Sequence, residues 1–297
     1  MKTTGKVPAW LGAPLVVGAF GVLWWLERRR PLRRDAHEPK LRREARNLSV
    51  AATAALALRL AEQPVAERLT ALVARRKVGL LKLVALPAWF ETALAVLLLD
   101  YTLYLWHVST HRAPALWRFH AVHHADLDLD ASTALRFHFG ELIVSVAWRA
   151  GQIVLLGVSS LSLSVWQTLL MVSVLFHHSN VRLPPRWERR LASLVVTPRM
   201  HGIHHSTVRE ESDSNWSSGL TLWDRLHGTL RLDVPQSIVE IGVPAYRDPA
   251  ELTLPKILAM PFGPERPSWL LPDGTRPTRA ESPAAPPPPP KFVPNSI

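Results

Sequence analysis

The sequence predicts an all-α fold, a multi-span integral membrane bundle of about four to five helices with a histidine-rich helical cap on the cytoplasmic side. Three observations predict it. Long uncharged apolar runs recur along the 297 residues, although the hydrophobic fraction is an ordinary 47%. The first run is followed directly by a cluster of arginines, as at the cytoplasmic end of a membrane helix. Histidines recur at helical spacings beside the later runs, and this spacing favours helices.

The first apolar run, Val7–Leu26, has 20 residues and no charge, which is long enough to cross a bilayer. Trp10 lies near its start, and Trp24 and Trp25 lie near its end, where aromatic side chains favour the membrane interface. A cleaved signal peptide is the alternative interpretation. A membrane anchor is favoured because the run is long and is followed by arginines instead of a small-residue cleavage pattern.

Four further segments complete the predicted bundle. Asn47–Ala61 is interpreted as either a second span or a shallow helix. Leu83–Trp106 is a span that contains Glu91, which needs a partner or a water-lined face. Leu142–Gly157 and Leu161–Phe176 form a hairpin that spans the membrane or dips into it.

Alternating these spans from a cytoplasmic segment 28–46 brings every histidine cluster to the cytoplasmic face. Arg75, Arg76 and Lys77 would then lie on the outer side, against the positive-inside tendency, unless the segment before them lies at an interface. The predicted organisation is an N-terminal membrane anchor with a basic loop (1–78), a histidine-bearing domain (79–235) and a disordered proline-rich tail (236–297), which has twelve prolines after residue 260.

The net charge and the composition limit the kinds of partner that the chain can bind. The formal net charge of +11 is compatible with a nucleic acid or with an anionic membrane surface. Because the arginines Arg28, Arg29, Arg30, Arg33 and Arg34 flank an apolar span, we expect a membrane and no nucleic acid. The chain has no cysteine, so any metal must be bound by nitrogen and oxygen ligands.

Histidine is the residue that indicates chemistry. All thirteen histidines except His37 fall between His107 and His227, and two stretches, "HAVHH" and "HGIHH", each place three histidines at i, i+3 and i+4. Residues at these spacings share a helix face, so a pair can hold one metal while the adjacent third histidine reaches a neighbouring metal. Two triads and the pair in "HVSTH" offer more nitrogens than one tetrahedral zinc accepts. The pattern therefore predicts two metals that keep open positions.

Single histidines are weaker evidence for metal binding than the two repeated triads. His138 and His177 are included as ligands on weaker grounds, while His178 is expected to point elsewhere on its helix and to support a ligand. His227 is interpreted as structural and His37 as solvated. Asp100, Asn180, Asn215 and Asp224 are candidates for hydrogen bonds to ligand imidazoles, and helix caps or loop hydrogen bonds explain them equally well.

The motifs together resemble the fatty acid hydroxylase/sterol desaturase superfamily of integral membrane di-iron proteins, most closely its bacterial members. They follow the family's order in "DYTLYLWHVSTH", "LWRFHAVHH", "TALRFHFGE", "FHHSNVRLP", "TPRMHGIHHS" and "SNWSSGLTLWDRLHGT". Some members carry a histidine where this chain has Ser173, so His138 is expected to supply that nitrogen. The resemblance implies metal ligation by His107, His111, His120, His123, His124, His138, His177, His201, His204 and His205.

The resemblance also implies an activity. It predicts two Fe ions, O2 as co-substrate, and hydroxylation or desaturation of a fatty acyl, sterol or isoprenoid lipid drawn from the bilayer. Electrons would come from an external donor, a ferredoxin or a cytochrome-type reductase, and the protein would reside in a bacterial inner membrane. Two alternatives stay open at this point: a membrane metal transporter, which predicts ligands spread through the membrane depth, and a membrane protein whose metal is only structural.

Overall fold

The computed structural model describes residues 5–7, 9–34 and 37–279, and these ranges are helical with no β-strand. Their α-helices are α1 (Ala9–Arg29), α2 (Lys40–Ala57), α3 (Gln63–Arg76), α4 (Ala88–Arg112), α5 (Pro114–His124), α6 (Phe139–Leu156), α7 (Ser160–His178), α8 (Pro185–Leu191), α9 (Pro198–His204), α10 (Arg209–Ser212), α11 (Leu222–Leu226) and α12 (Leu254–Ala259). Of these, α1, α4, α6 and α7 are long and apolar enough to cross a membrane, which makes the chain an integral membrane protein.

The predicted hairpin forms from α6 and α7. α6 ends at Gly157, which has a φ of 76°, a left-handed conformation that favours glycine. Ser159 then caps α7 by accepting a hydrogen bond from the backbone N–H of Ser162 at 3.0 Å. The start of α6 and the end of α7 lie at the same end of the bundle, because Glu141 of α6 contacts His120 and His178 of α7 contacts His123, both on α5.

The segment 47–61 is part of a much longer helix. α2 continues through a π-helical segment, Leu58–Glu62, directly into α3, and this rod packs against α6 along its length. Three contacts mark its course: Asn47 bonds Arg136 just before α6, Glu62 pairs with Arg149 at 3.4 Å in the middle, and Gly79 meets Gly157 beyond the far end.

The rod therefore spans the same depth as α6, although it is not among the four apolar helices. This course favours a span over a shallow helix, and a span keeps the departure from the positive-inside tendency that the sequence analysis noted. Arg75, Arg76 and Lys77 lie at the end of the bundle opposite to the start of α6. The predicted need of Glu91 for a partner is also met, because Lys82 in the preceding turn pairs with its carboxylate at 2.5 Å.

The C-terminal segment differs from the prediction. Within the segment 236–297, predicted to be a disordered tail, residues 236–279 are packed and include α12. Val243, Leu252 and Ile257 are fully buried in a cluster that contains Trp117 and Val122 of α5. The prediction of disorder was wrong for this part, because its few apolar residues find a complementary apolar face that proline content does not reveal. Residues 280–297 lie outside the described residues.

Candidate metal centre

Histidine side chains from four helices meet at one end of the bundle. α4 supplies His107 and His111 from its last turns, and α7 supplies His178 at its C-terminus. α5 carries the first triad, and α9, capped by Thr197, carries the second. The two halves of the figure repeated in the sequence thus come from short helices that pack at the ends of the spans.

Nine of these histidines form two adjacent groups. Within each group, one possible ligand atom from every residue lies within 4.8 Å of those of all the others. The first histidine group is His107, His111, His120, His124 and His204; the second histidine group is His123, His178, His201 and His205.

Each triad contributes to both groups in a reciprocal way. In the first triad, the i and i+4 residues join the first group and the i+3 residue, His123, joins the second. In the second triad, the i and i+4 residues join the second group and the i+3 residue, His204, joins the first. The two groups touch where the ring of His124 stacks on that of His205 at 4.2 Å. The helical spacing therefore makes two neighbouring sites instead of two separate ones.

Hydrogen bonds orient the rings of the first group. Nδ1 of His107 lies 2.7 Å from the carbonyl oxygen of Trp216, and Nδ1 of His204 lies 2.8 Å from that of Ser214. A ring that donates from Nδ1 keeps its lone pair on Nε2, which is the tautomer a metal ligand needs. Nε2 atoms are buried and have no hydrogen-bond partner among the described residues in His111, His120, His124 and His204.

The second group shows the same convergence more closely. Nε2 of His178 lies 3.0 Å from Nε2 of both His123 and His201, and Nε2 of His205 lies 3.1 Å from that of His201. Nδ1 of His178 is directed at the carbonyl oxygen of Val174 at 2.8 Å. Four imidazole nitrogens that face one another leave lone pairs directed at a common point, a donor set that suits Fe, Zn or Cu.

Burial keeps five of the imidazoles outside the membrane spans neutral. It lowers the pKa of His204 to about 3, and burial together with neighbouring imidazoles lowers the pKa of four others well below the ordinary value: His123, His124, His201 and His205. Neutral imidazole is the form that binds metal, so these groups need lose no proton to bind one near pH 7. The unpaired nitrogens and the neutral rings together fit a pair of metal ions.

Of the four predicted polar supports, Asp224 and Asn215 reach the centre indirectly. Asp224 accepts from the backbone N–H of Trp216 at 3.0 Å, and so holds the loop whose carbonyl oxygen contacts His107. Asn215, with a φ of 52°, bonds the carbonyl oxygens of Met200 and Arg231. These two residues fix the loop and not the rings.

Asp100 and Asn180 bond elsewhere. Asp100 accepts from Leu220 N–H and from Trp223 Nε1, at 3.1 and 2.7 Å, which ties α11 to α4. Asn180 exchanges hydrogen bonds with the backbone of Arg33, each at 2.8 Å, which ties the loop after α1 to the end of α7. Both residues therefore make loop hydrogen bonds, the alternative given in the sequence analysis, and do not contact ligand imidazoles.

His138 and His177, both predicted as ligands, are in neither group. His138 caps α6: its Nδ1 accepts from the N–H of Gly140 at 2.9 Å, and its Nε2 lies 3.1 Å from the carbonyl oxygen of Leu258. His177 is buried beside the second group, with its ring centroid 4.1 Å from that of His201. His178, predicted to point elsewhere, is the residue of this pair that enters the second group.

The remaining two histidines lie apart from both groups. His227 is exposed and stacks on Tyr104 at 4.9 Å, and His37 is exposed beside Asp128.

The sequence reasoning missed a carboxylate. Glu141 is buried in the first turn of α6, and its Oε1 lies 3.0 Å from Nδ1 of His120. This contact orients His120 as the loop carbonyls orient His107 and His204. Its signal in the sequence was a carboxylate at the start of an apolar span, in the stretch "RFHFGE", where an unpaired charge is costly.

A buried ion-pair network next to the centre was also missed. Arg43 of α2 pairs with Asp126, at 2.8 Å, and with Asp130, both in the loop that follows the first triad. Arg136 lies in the same network and donates to the carbonyl oxygen of Val122 at 2.8 Å. The network ties the triad helix α5 to α2, more than eighty residues apart in the sequence.

Comparisons with known proteins agree with this geometry. Residues 92–229 match the fatty acid hydroxylase family model. Similar proteins include an ornithine lipid hydroxylase of Rhizobium tropici, 32% identical over 160 residues (53% of this chain and 46% of the relative). Alkylglycerol monooxygenase of Homo sapiens is 29% identical over 154 residues (49% and 31%), and cholesterol 25-hydroxylase of Mus musculus is 26% identical over 152 residues (50% of each).

The chain spans between about a third and a half of the length of these relatives, with coverage of 46%, 31% and 50%. No solved structure shows a significant match. The matched family segment runs from α4 to just beyond α11 and contains every residue of both histidine groups.

Proposed function

We propose that the protein is a membrane oxidoreductase that uses O2 and histidine-bound paired iron to hydroxylate a lipid, because residues 92–229 match the fatty acid hydroxylase family model. One observation carries the proposal: two touching groups of histidines, all buried except the half-buried His111, lie inside the matched segment and have nitrogens without a partner among the described residues. Iron as the metal follows from the family resemblance. The donor set is equally suitable for zinc or copper.

The protein's own residues would hold and orient the metals. The first group would bind one ion and the second group the other. Trp216, Ser214 and Glu141 hold three rings of the first group through Nδ1. When bound, paired iron supplies the activation of O2 that an unactivated C–H bond requires. Burial of the imidazoles excludes bulk water from this chemistry.

Hydroxylation by O2 requires electrons from an external donor. One atom of O2 enters a C–H bond to give C–OH, and the other leaves as water, which consumes two electrons and two protons. An external donor, a ferredoxin or a cytochrome-type reductase, would supply the electrons. The relatives named above are a hydroxylase of a membrane lipid, a monooxygenase and a sterol hydroxylase, which favours hydroxylation over desaturation and a lipid with a polar end as the substrate.

The location of the histidines supports an enzyme over a transporter. A transporter would carry its ligands through the depth of the membrane, whereas both groups here lie at one end of the bundle. The arginines that follow α1 lie at that same end, where Arg182 contacts Pro31. By the positive-inside tendency this end would face the cytoplasm, in a bacterial inner membrane.

Isotope-labelled lipid analysis tests the proposal. Cells that express the chain, and cells that express His120→Ala/His204→Ala, would be grown under 18O2 and their lipids compared by mass spectrometry. We expect a lipid with one heavy oxygen atom only with the intact chain. His227→Ala, an exposed histidine outside both groups, is the matched control and should retain the product. A lipid that loses two hydrogens without gaining label would instead support desaturation, and no oxygen-dependent lipid at all would refute the oxygenase.

A further inference from the structure

A large cavity opens at the histidine end of the bundle, outside the two histidine groups. Its volume is about 1120 Å³, and it lies between the end of α1 with the loop that follows, residues 127–130, and residues 235–241. Glu27 and Arg28, at the end of a membrane-crossing helix, are part of its wall. The cavity is therefore level with the membrane interface, where both lipid headgroups and soluble anions can reach it.

The negative charges in the wall are already neutralised. Every carboxylate that lines the cavity has a cationic partner within 4.0 Å: Glu27 with Lys40, Glu38 with Arg46, Asp128 with Arg43, Asp130 with Lys40, and Glu240 with Arg247. Four arginines of the wall have no carboxylate within that distance among the described residues: Arg33, Arg34, Arg182 and Arg199. The cavity thus keeps an excess of positive charge.

Of these four arginines, Arg33 gives the clearest evidence for a ligand. Its Nη1 donates to Oε1 of Gln236 at 2.6 Å, while its Nε and Nη2 are buried without a partner among the described residues. The side chain of Asn180 accepts a hydrogen bond from the backbone N–H of Arg33 and donates one to its carbonyl oxygen. Burial lowers the pKa of this guanidinium to about 10, so it remains charged at neutral pH. Two buried N–H groups on a fixed guanidinium make a fork of the kind that binds oxyanions in bidentate geometry.

We propose that this cavity binds the phosphate group of an anionic ligand, with Arg33 as the main contact and Arg199 and Arg182 beside it. The phosphate comes either from a membrane lipid headgroup or from a soluble phosphate. This site is separate from the metal groups and does not depend on the function proposed above. It lies close to them, because Nη1 of Arg33 is 2.5 Å from where a Cβ on Gly202, within the second triad, would be.

Titration of the purified full chain in dodecyl maltoside micelles tests the site, with the thermal unfolding midpoint as the readout. One arm adds phosphatidylglycerol, with diacylglycerol as the phosphate-free control, and the other arm adds inorganic phosphate. We expect a saturable rise of the midpoint with phosphatidylglycerol or with phosphate, and none with diacylglycerol. A response to inorganic phosphate that competes with the lipid identifies a soluble ligand, and a response to the lipid alone identifies a headgroup; both support the site.

Variants establish where the ligand binds. Arg33→Gln should weaken binding roughly tenfold or more, because a charge-assisted bidentate contact is lost. Ser237→Asp, an exposed residue of the wall, should weaken binding by adding a carboxylate without disturbing buried contacts, and so tests the site even if Arg33→Gln misfolds. Arg190→Gln removes the same charge from an exposed position outside the cavity and should titrate like the unmodified chain. The proposal is overturned if neither ligand shifts the midpoint, or if Ser237→Asp and Arg33→Gln titrate as Arg190→Gln does.

Discussion

Nδ1 of His120 lies 3.0 Å from Oε1 of Glu141, and both side chains are buried. This contact joins a triad histidine to the only carboxylate that directly touches either histidine group within 4.0 Å among the described residues. It fixes the ring so that Nε2, which has no partner of its own in this part of the chain, faces the first group.

Removing this carboxylate should weaken metal binding. We expect Glu141→Ala to lower metal affinity by about 10- to 100-fold, as loss of an orienting partner does at other metal sites. Glu141→Gln keeps an acceptor oxygen and should lose less. Chelator competition on purified protein measures the affinity. Glu67→Gln, exposed and remote from the histidines, is the control, and equal affinity in Glu141→Ala and Glu67→Gln would contradict the role.

The two groups predict which histidines matter for metal content. His120→Ala/His124→Ala removes two nitrogens from the first group, so bound metal should fall by about one ion per chain. His138→Ala should keep its metal and instead destabilise the fold by about 1 kcal/mol, because it removes the cap of α6. Elemental analysis and thermal unfolding separate the two outcomes. Loss of metal in His138→Ala would return that residue to the ligand set.

Substituting the neighbouring residues His177 and His178 one at a time tests which of them binds metal. His178→Ala removes one of the converging Nε2 atoms and should reduce the metal bound by the second group. His177→Ala leaves all four nitrogens of that group in place and should reduce it much less. The measurement is metal per chain for each purified variant. The reverse order would show that α7 is rotated in the metal-bound protein.

The Arg43 network should contribute strongly to stability. Arg43→Gln removes the nearest cation from the buried carboxylates of Asp126 and Asp130, which keep only the longer contacts to Arg46 at 3.9 Å and Lys40 at 3.3 Å, and should cost about 3 kcal/mol. Arg42→Gln, an exposed neighbour, should cost almost nothing. Chemical or thermal unfolding in detergent measures both, and similar stabilities in the two variants would contradict the prediction.

We also expect the stability lost in Arg43→Gln to depend on pH. Burial alone would raise the pKa of Asp130, but Arg43 and Lys40 outweigh it and lower the pKa to about 2. A carboxylate with a depressed pKa stabilises the fold above its unfolded-state value of about 3.9 and loses this contribution as the pH falls toward the folded-state value. The stability gap between the unmodified chain and Arg43→Gln should therefore be full at pH 7 and narrow below about pH 4. A gap that stays constant down to pH 3 would assign the effect to packing.

The sequence alone was sufficient for the features that depend on local periodicity. Apolar run length predicted the four helices α1, α4, α6 and α7. The i, i+3, i+4 spacing predicted that each triad serves two metals, and the triads do divide in that way between two groups. The assignment of individual ligands remains a prediction that the metal analyses above address.

Tertiary packing decided what spacing could not. Adjacent residues such as His177 and His178 differ by about 100° around a helix, so only the rotation of α7 against α1 and α4 selects the one that faces the second group. Glu141 meets His120 only because α6 begins beside α5, and Arg43 meets Asp130 across 87 residues of sequence. Residues 236–279 fold because α5 offers them an apolar face.

Each of these outcomes depends on contacts between elements that are distant along the chain. A local pattern carries no information about such contacts, since it reports only the face that a residue occupies on its own helix. The sequence by itself therefore determined the spans and the histidine figures, and the packing of the helices determined which side chains meet at the metal centre.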